Sequence, residues 1–207
     1  MRCSSMNLES RFHKHKKNFV NPDHMKKAIA GYQIDENGNY LATDAVQVLR
    51  IKTGEPGDYQ ILKLNGTPAD KDVDKVDLER FFPEHEPCAT VDLDTWLDAA
   101  SAFEAVMKAS GSVSDDKGNQ LMHLYSRDNL LHLSFELLDG TRGEWEIGQG
   151  SDTDFSRHFD GTRLVQCLKV FSGHAVEIDI TGDESAVRPL MFSAPDIDVV
   201  LMPVRVQ

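Results

Sequence analysis

The sequence predicts an α+β fold in which a unit of one strand, one helix and three strands occurs twice in succession. Two observations carry this prediction. Apolar residues recur at the spacing of an amphipathic helix at 95–109 and again at 164–171. Each helical segment follows a short strand, and three further strand segments follow it, separated by turn residues.

The first repeat begins with a strand whose inward positions are Ala89, Val91 and Leu93. Asp94 is the predicted N-cap of the helix over 95–109, because a side-chain oxygen there can accept from free N–H groups of the first turn. Ser110-Gly111 ends the helix. Three strands follow, predicted over 121–125, 130–138 and 143–147, with Asp139-Gly140 as a hairpin turn.

The second repeat begins with the segment from Asp152 to Phe159. Its helix carries an apolar face made of Leu164, Cys167, Leu168 and Phe171. Alternation of apolar and polar residues then predicts a half-buried strand at 176–181. The sequence ends with two more predicted strands, at 190–192 and 196–206.

The N-terminal part of the chain is simpler. A short helix is predicted from Asp23 to Ala30, with Gly31 as its stop. Asn37-Gly38 predicts a hairpin turn, and the returning strand is expected over 40–52 with a bend at Thr43-Asp44. Another strand at 59–64 leads into a polar loop.

Composition places the chain among globular proteins, with 207 residues, 40% hydrophobic and 27% charged. The net charge of −12 is uneven, since residues 1–31 hold seven Lys and Arg against two carboxylates, a net of +5 that leaves −17 for the rest. An acidic body argues against indiscriminate binding of nucleic acid. The basic run Arg11–Lys17 is interpreted either as a solvated end or as a phosphate-contacting segment; His13 and His15 alone make a poor metal site.

Several classes of function are excluded by what the sequence lacks. No apolar stretch has the length of a membrane span or of a signal-peptide core, so we expect a cytoplasmic protein without a membrane partner. Cys3, Cys88 and Cys167 are far apart, which predicts neither a disulfide framework nor a zinc site. No nucleotide-binding, hydrolase or metalloprotease motif occurs, so no catalytic residue, metal or cofactor is expected and the protein is not expected to be an enzyme.

Three segments resemble a known family. The second helix is followed by EIDIT (177–181), RPLMFSAP (188–195) and the ending VVLMPVRV (199–206), an order that resembles the C-terminus of the bacterial DNA polymerase III beta subunit, the replicative sliding clamp. The stretch LATDAVQV (41–48) resembles a Val-Ala-Thr-Asp-Gly-His-Arg-Leu strand of the middle clamp domain. RFFP (80–83) resembles the passage from the middle to the last domain.

The resemblance implies DNA-clamp domains, each built from duplicated βαβββ units. With the boundary placed at Glu86-Pro87, residues 1–86 form a reduced N-terminal clamp-like domain with a basic N-terminal segment, and 87–207 form a complete C-terminal clamp domain. The length is nearest that of two-domain clamps, so the resemblance implies a compact, phage-like version. It further implies a closed homo-oligomeric ring, with a trimer favoured over a dimer.

The function implied by the resemblance is that of a processivity factor. Such a ring encircles duplex DNA without reading its sequence, and it tethers the DNA polymerase and meets the clamp loader through a short peptide bound in a groove. Carried over to this chain, the groove residues are Thr43, Ala45, Val46, Val48, Pro83, Asp160, Arg163, Val187, Pro189, Val200, Met202, Pro203, Val204 and Arg205. The candidate DNA contacts are Lys26, Lys27, Lys108 and Lys169.

Alternatives stay open at this point. Val200 and Met202 are also explained as ordinary sheet core, and each lysine as solvated surface. The family's Gly-His-Arg is Ala45-Val46-Gln47 here, which leaves the preferred peptide motif undetermined. A second hypothesis is a clamp-fold adaptor or decoy that forms no ring and binds clamp-interacting peptides. The shortened N-terminal half favours it, as does the acidic helix over 95–109, whose Asp98 and Glu104 would repel phosphate.

Overall fold

The computed structural model describes residues 5–70, 73–110, 120–150 and 155–206, with the side chains of 5–7 left out. The chain divides into two compact units. The first comprises Met1–Phe82 with Pro195–Val200, and the second comprises Pro83–Ala194 with Leu201–Gln207. This division by compactness does not decide where a domain ends, so the boundary at Glu86-Pro87 stays a prediction.

The described residues form three α-helices and twelve strands. In chain order these are α1 (Ser5–His15), β1 (Tyr32–Ile34), β2 (Asn39–Thr43), β3 (Gln47–Lys52), β4 (Gln60–Leu62), β5 (Ala89–Asp92), α2 (Leu93–Ser110), β6 (Leu121–Arg127), β7 (Leu130–Glu136), β8 (Arg142–Gln149), β9 (Ser156–Asp160), α3 (Gly161–Phe171), β10 (Glu177–Thr181), β11 (Leu190–Ala194) and β12 (Ile197–Leu201). None of the helices in these ranges is long and apolar enough to cross a membrane.

The first unit is a single sheet, in the order β4-β1-β2-β3-β12, with α1 packed on it. Leu8 and Phe12 of the helix are buried, and the ring of Phe12 lies 5.2 Å from that of Tyr32 and 5.1 Å from that of Tyr40. The basic segment is therefore an amphipathic helix with a buried face, and its interpretation as a solvated end is wrong.

The helix predicted from Asp23 to Ala30 is also wrong, because only a 3-10 turn at Lys27–Ile29 is present. Local side chains take the backbone donors that a helix would need. The Asn21 Oδ1 atom accepts from the N–H of Asp23 at 3.1 Å, and His24 Nδ1 accepts from the N–H of Lys26 at 3.0 Å. Such bonds offer the backbone an alternative to helix formation.

The single strand predicted over 40–52 is a hairpin of β2 and β3 instead. The Asp44 carboxylate accepts from the N–H groups of Val46 and Gln47 at 3.0 and 3.1 Å, which closes a tight turn. Ala45 has a φ of 74°, a conformation in which a non-glycine residue is uncommon. The expected bend is thus a full chain reversal, and Thr43 pairs with Val48 across it.

Within the first unit, β12 is tied to β3 by buried ionic contacts. Asp198, 3% exposed, accepts from Arg50 at 2.8 Å, and Lys52 Nζ lies 2.8 Å from the same carboxylate. Arg50 also contacts Glu79, and its guanidinium lies 3.9 Å above the ring of Phe82. Arg50 therefore joins two carboxylates, and loss of Asp198 would leave it with Glu79 alone.

The second unit contains the predicted duplication, which is confirmed. The first repeat runs β5-α2-β6-β7-β8, and the second runs β9-α3-β10-β11 and continues into β12. One sheet has the order β8-β7-β6-β9, and β11, β10 and β5 are neighbours in the other. The cap of α2 is Asp92 rather than Asp94, since the Asp92 carboxylate accepts from the N–H of Thr95 at 2.7 Å. The α+β fold class predicted from the sequence is therefore correct.

Aromatic contacts fix α2 on the strands of the second unit. Trp96 of α2 is fully buried, with its ring 5.1 Å from Phe192 of β11 in an edge-on arrangement. Phe103 of α2 lies 4.6 Å from Phe135 of β7. Because α2 also packs on α3, the core of this unit lies between the helix pair and the strands.

We expect Asp198→Ala to destabilise the first unit by about 1.5–3 kcal/mol, because Arg50 loses its hydrogen bonds to one of its two carboxylate partners at a largely buried position. Urea unfolding followed by circular dichroism measures the change. Asp98→Ala removes an exposed carboxylate on α2 and is the control, expected to stay within about 0.5 kcal/mol of the unmodified protein. Equal midpoints for the two variants would contradict a structural role for the Asp198 cluster.

Candidate peptide-binding and DNA-binding residues

In the second unit, β9 fixes three separate segments that carry predicted groove residues. Arg157 binds the turn before β11, His158 binds the C-terminal segment, and Asp160 caps α3. The three contacts lie within four consecutive residues of one strand. A short strand therefore determines where these segments lie relative to one another.

Arg157 is 1% exposed and acts as a brace for the turn that carries Val187 and Pro189. Its Nε donates to the carbonyl of Arg188 at 3.0 Å, and one terminal nitrogen donates to the carbonyl of Asp183 at 2.6 Å. The same nitrogen reaches the Asp183 carboxylate at 3.2 Å. Burial lowers the pKa of Arg157 from its ordinary value, and the neighbouring Asp183 charge opposes that shift.

The C-terminal segment lies along the outer edge of β9. The N–H of Val204 donates to the carbonyl of His158 at 2.7 Å, and the two residues form an antiparallel bridge. The strand predicted to run to Val206 ends at Leu201, so the residues after it do not continue β12, and Val204 pairs with β9 instead. Met202 is 38% exposed and Val206 53% exposed.

Asp160 and Arg163 lie at the start of α3, as predicted. The Asp160 carboxylate accepts from the N–H of Arg163 at 3.1 Å, which makes it the N-cap of the helix. Its first role is therefore structural, because this bond satisfies a donor that the helix leaves open.

In the first unit, the predicted residues surround the turn between β2 and β3. The Thr43 hydroxyl donates to the carbonyl of Gln47 at 2.7 Å and accepts from the N–H of Ala45 at 3.0 Å. The Gln47 side chain is buried and donates to the carbonyl of Asn18 at 2.5 Å. In the same turn, Val46 has an exposed apolar side chain.

Burial separates the predicted groove residues into two classes. Thr43, Val48 and Val200 are buried within the first unit, at 4%, 6% and 2% exposed, and belong to its sheet core. Val187 and Met202 are exposed in the second unit, and Pro83, Pro189, Pro203 and Val204 are partly exposed. The sequence left open whether Val200 and Met202 are groove residues or sheet core. Only Val200 lies in the core.

Two of the predicted DNA contacts lie together on the helix pair of the second unit. Lys108 Nζ is 2.6 Å from Glu104 one turn earlier on α2, and Lys169 is exposed on α3. Burial raises the pKa of Glu104, but hydrogen bonds from Lys108 and Thr162, with the charges of Lys108 and Lys169, outweigh burial and lower it. Glu104, which the sequence predicted to repel phosphate, therefore has a lysine near it on each of the two helices.

The other two predicted DNA contacts, Lys26 and Lys27, are not on an α-helix. Lys26 precedes the 3-10 turn, and Lys27 Nζ lies 3.7 Å from the Asp70 carboxylate. The helix of the first unit is α1, which exposes Lys14, with Lys17 exposed just after it. Sequence reasoning missed this helix, although Leu8, Phe12 and His15 have the required spacing.

Arg157 was missed as well, although the sequence holds a signal for it. Phe155, Arg157 and Phe159 alternate, and such alternation places the arginine on the inner face of a strand. A charged residue at an inward position needs buried partners, which here are carbonyl groups of the turn.

Histidines meet across β6 and β9. His123 is paired in register with His158, and their rings stack with centroids 4.2 Å apart. Burial and the His158 charge lower the pKa of His123 to about 4, and burial lowers that of His158. On the other side of β6, Ser134 is the register partner of His123 and Tyr125 is that of His132.

No protein-family model and no curated protein sequence matches the chain. Solved structures do. The DNA polymerase sliding clamp from Pseudomonas aeruginosa matches with a TM-score of 0.77 at 12% identity, over 99% of this chain and 66% of that one. The DNA polymerase sliding clamp from Bacillus subtilis matches with a TM-score of 0.76 at 13% identity, over 99% of this chain and 63% of that one. DNA polymerase III subunit beta from Borrelia burgdorferi, in complex with a natural product, matches with a TM-score of 0.73 at 16% identity. The match covers 99% of this chain and 62% of that one.

These comparisons show the fold. The chain has the fold of bacterial DNA polymerase III beta sliding clamps, as the three sequence segments predicted. It spans between 62% and 66% of the length of the three clamps.

We expect the stability of the protein to fall as the pH drops from 6.5 to about 4. His15 and His123 both have a folded pKa lowered to about 4 from 6.5, so the unfolded chain binds protons first. Well above pH 6.5 both histidines are neutral in the folded and in the unfolded state, so their titration does not change the free energy of unfolding there. Thermal unfolding across this range measures the effect.

His123→Gln should make that loss of stability with falling pH smaller, because one of the protons taken up on unfolding is gone. His85→Gln removes an exposed histidine and is the matched control. A His123→Gln profile that runs parallel to the unmodified profile from pH 6.5 to 4 would contradict the assignment.

Proposed function

We propose that the protein acts as a DNA sliding clamp. In this proposal it encircles duplex DNA as an assembly of several copies and tethers a DNA polymerase through a bound peptide, so that processivity follows from topology and no bond chemistry is needed. The clamp fold over 99% of the chain supports the general class.

One observation carries the peptide-binding proposal. Three of the positions that the family resemblance assigned to the groove carry large apolar side chains that are exposed. These are Val46, Val187 and Met202, which are 36%, 50% and 38% exposed. Exposed apolar side chains lose water favourably when an apolar partner covers them. Methionine also suits a surface that accepts several partners, since its flexible side chain adapts its packing.

The peptide preference follows from the turn between β2 and β3. Gln47 stands where the family has a cationic residue, and its side chain is already bonded to the carbonyl of Asn18. Val46 stands where the family has histidine. We therefore infer that this turn offers a peptide an apolar contact and that acidic side chains of the peptide gain little here.

For DNA, we propose contacts through lysines exposed on helices. Lys108 and Lys169 flank Glu104 on α2 and α3, and Lys14 and Lys17 lie on and just after α1. Such contacts reach phosphate groups and carry no sequence information. Lys26 and Lys27 stay in the proposal as contacts outside the helices.

The number of copies in the ring is part of the proposal. The chain length favours a trimer over a dimer, by analogy with two-domain clamps. A clamp loader that recognises the same peptide site is the expected second partner.

An adaptor or decoy that binds clamp-interacting peptides without encircling DNA is the second candidate. Among the described residues from 63 to 82, the only helical element is the 3-10 turn Glu79–Phe81, and no strand occurs. The first unit therefore has one sheet and one helix where a complete clamp domain has two βαβββ units. Absence of DNA retention with intact peptide binding would favour this candidate.

We expect Met202→Asp and Val187→Asp each to weaken binding of a labelled polymerase peptide by about 10-fold or more, because a carboxylate replaces an apolar contact. Fluorescence anisotropy with a peptide that binds bacterial clamps measures this. Val176→Asp is the control, since Val176 is 77% exposed in the same unit and lies outside the predicted groove. Equal affinities for all three variants would refute the groove assignment.

For DNA, we expect Lys14→Glu with Lys17→Glu to reduce the slope of log K against log salt by about 2, since each lost phosphate contact removes about 0.9. The measurement is binding to a duplex over a range of salt concentrations. Lys26→Glu with Lys27→Glu makes the same change in net charge outside the helices. A larger effect from that pair would place the contact surface at the 3-10 turn instead of at α1.

A further inference from the structure

The first unit contains a pocket that the proposed function does not use. The pocket lies beside β4, between this strand and the segment that precedes β1, and its volume is about 450 Å³. Sites for small organic molecules have volumes in this range. The described residues that line it all belong to the first unit, and none of them is a predicted groove residue.

Apolar groups form most of the wall of this β4 pocket. Ile61, Leu64 and Val73 line it and are partly exposed. Gly31 brings the chain so close to β4 that an added Cβ would lie 2.0 Å from the carbonyl oxygen of Leu62. A partly exposed apolar wall in a concave site loses water favourably when an apolar ligand covers it.

The backbone along the outer edge of β4 is already paired. The N–H of Lys63 donates to the carbonyl of Thr67, and the N–H of Ala69 donates to the carbonyl of Ile61, both at 2.8 Å. An extended peptide binds a sheet edge through backbone groups that are open. The pocket therefore offers side chains to a ligand, which favours a small molecule over a peptide strand.

The charged groups of the pocket are two lysines and one aspartate among the described lining residues. The Asp70 carboxylate lies 3.1 Å from the Lys63 Nζ atom and 3.7 Å from the Lys27 Nζ atom. The hydrogen bond from Lys63, with the charges of both lysines, lowers the pKa of Asp70 from its ordinary value. The three groups therefore sum to one positive charge at neutral pH.

Both lysines can accept a second anionic partner. An ammonium group has three N–H donors, and a contact with a single carboxylate uses only part of them. The side chains of Lys27 and Lys63 are 74% and 52% exposed, so both ammonium groups are accessible to a ligand.

We propose that the β4 pocket binds a small organic anion with an apolar body, of the class of medium-chain or aromatic carboxylic acids. The apolar body lies against Ile61, Leu64 and Val73, and the anionic group lies beside Lys27 and Lys63. The excess of cationic groups selects an anion over a cation, and the apolar wall selects an organic anion over an inorganic one. This inference goes beyond the proposed function and requires neither DNA nor a bound peptide.

The first test compares three ligands that share an eight-carbon chain and differ in charge: octanoate, octanol and octylammonium. Each is titrated into the full chain, and NMR follows the backbone amide signals of residues 61–64. Octanoate should bind about 5-fold more tightly than octylammonium, with octanol between them, because exposed ion pairs each contribute modestly. Added salt should weaken octanoate binding and leave octanol binding unchanged, since salt screens exposed charges.

Two substitutions should change the affinity for octanoate in opposite directions. Lys63→Gln removes a cation and should weaken binding about 3-fold, whereas Asp70→Asn removes the competing carboxylate and should strengthen it about 3-fold. Octanol should bind equally well to both variants. Lys27 is left unchanged because it is also a proposed DNA contact.

The ion pair of Lys75 with Glu36 provides matched controls. It lies in the same unit at 3.0 Å, with side chains 54% and 62% exposed, and neither residue lines the β4 pocket. Lys75→Gln and Glu36→Gln make the same two changes in net charge, and both should bind octanoate as the unmodified chain does.

A third variant fills the pocket. Ala30 lines it and is partly exposed, so Ala30→Phe should abolish binding of octanoate and octanol alike, with a thermal midpoint that verifies the fold. Equal affinities for octanoate and octylammonium would overturn the proposal. So would a response of the Lys75 and Glu36 variants as large as that of the Lys63 and Asp70 variants, or amide shifts confined to residues outside the pocket. If Ala30→Phe does not fold, the exposed substitutions still decide the outcome.

Discussion

The candidate site of the second unit depends on one buried guanidinium. Arg157 has no exposed side-chain surface, and carbonyl groups and the Asp183 carboxylate replace the water that its guanidinium loses on burial. Removing water from an arginine is costly, so the turn that supplies those oxygens is held where they are needed. The brace thereby positions Val187 and Pro189, which themselves make no comparable polar contacts in the structure.

The same strand shows how a short element organises a surface. The carbonyl of His158 fixes the C-terminal segment, and the carboxylate of Asp160 fixes the start of α3. Each contact satisfies a backbone group that would otherwise lack a partner, and each also positions a segment with predicted groove residues. These contacts have a structural role in themselves, and the proposed function assigns the exposed Val187 and Met202 to a bound peptide.

Electrostatics in this chain are local rather than global. The net charge of −12 argues against binding DNA, yet the helix pair of the second unit places Lys108 and Lys169 around Glu104. In the first unit, α1 buries its apolar face against the sheet and leaves Lys14 exposed. Because salt screens charges beyond about 8–10 Å, such clusters matter more to a nearby phosphate than the charge of the whole protein.

The sequence by itself determined the duplicated units of the second part and their clamp fold, because helix and strand periodicities there are long and regular. The sequence-based prediction was wrong for short segments, where side chains form hydrogen bonds with nearby backbone N–H groups. Asn21 and His24 prevent a helix in this way, and Asp44 divides one predicted strand into two. Only the tertiary structure decided that Val200 is core while Met202 is exposed, since both have the same strand pattern. It also decided the role of Arg157, because partners that are distant in sequence cannot be read from a local pattern.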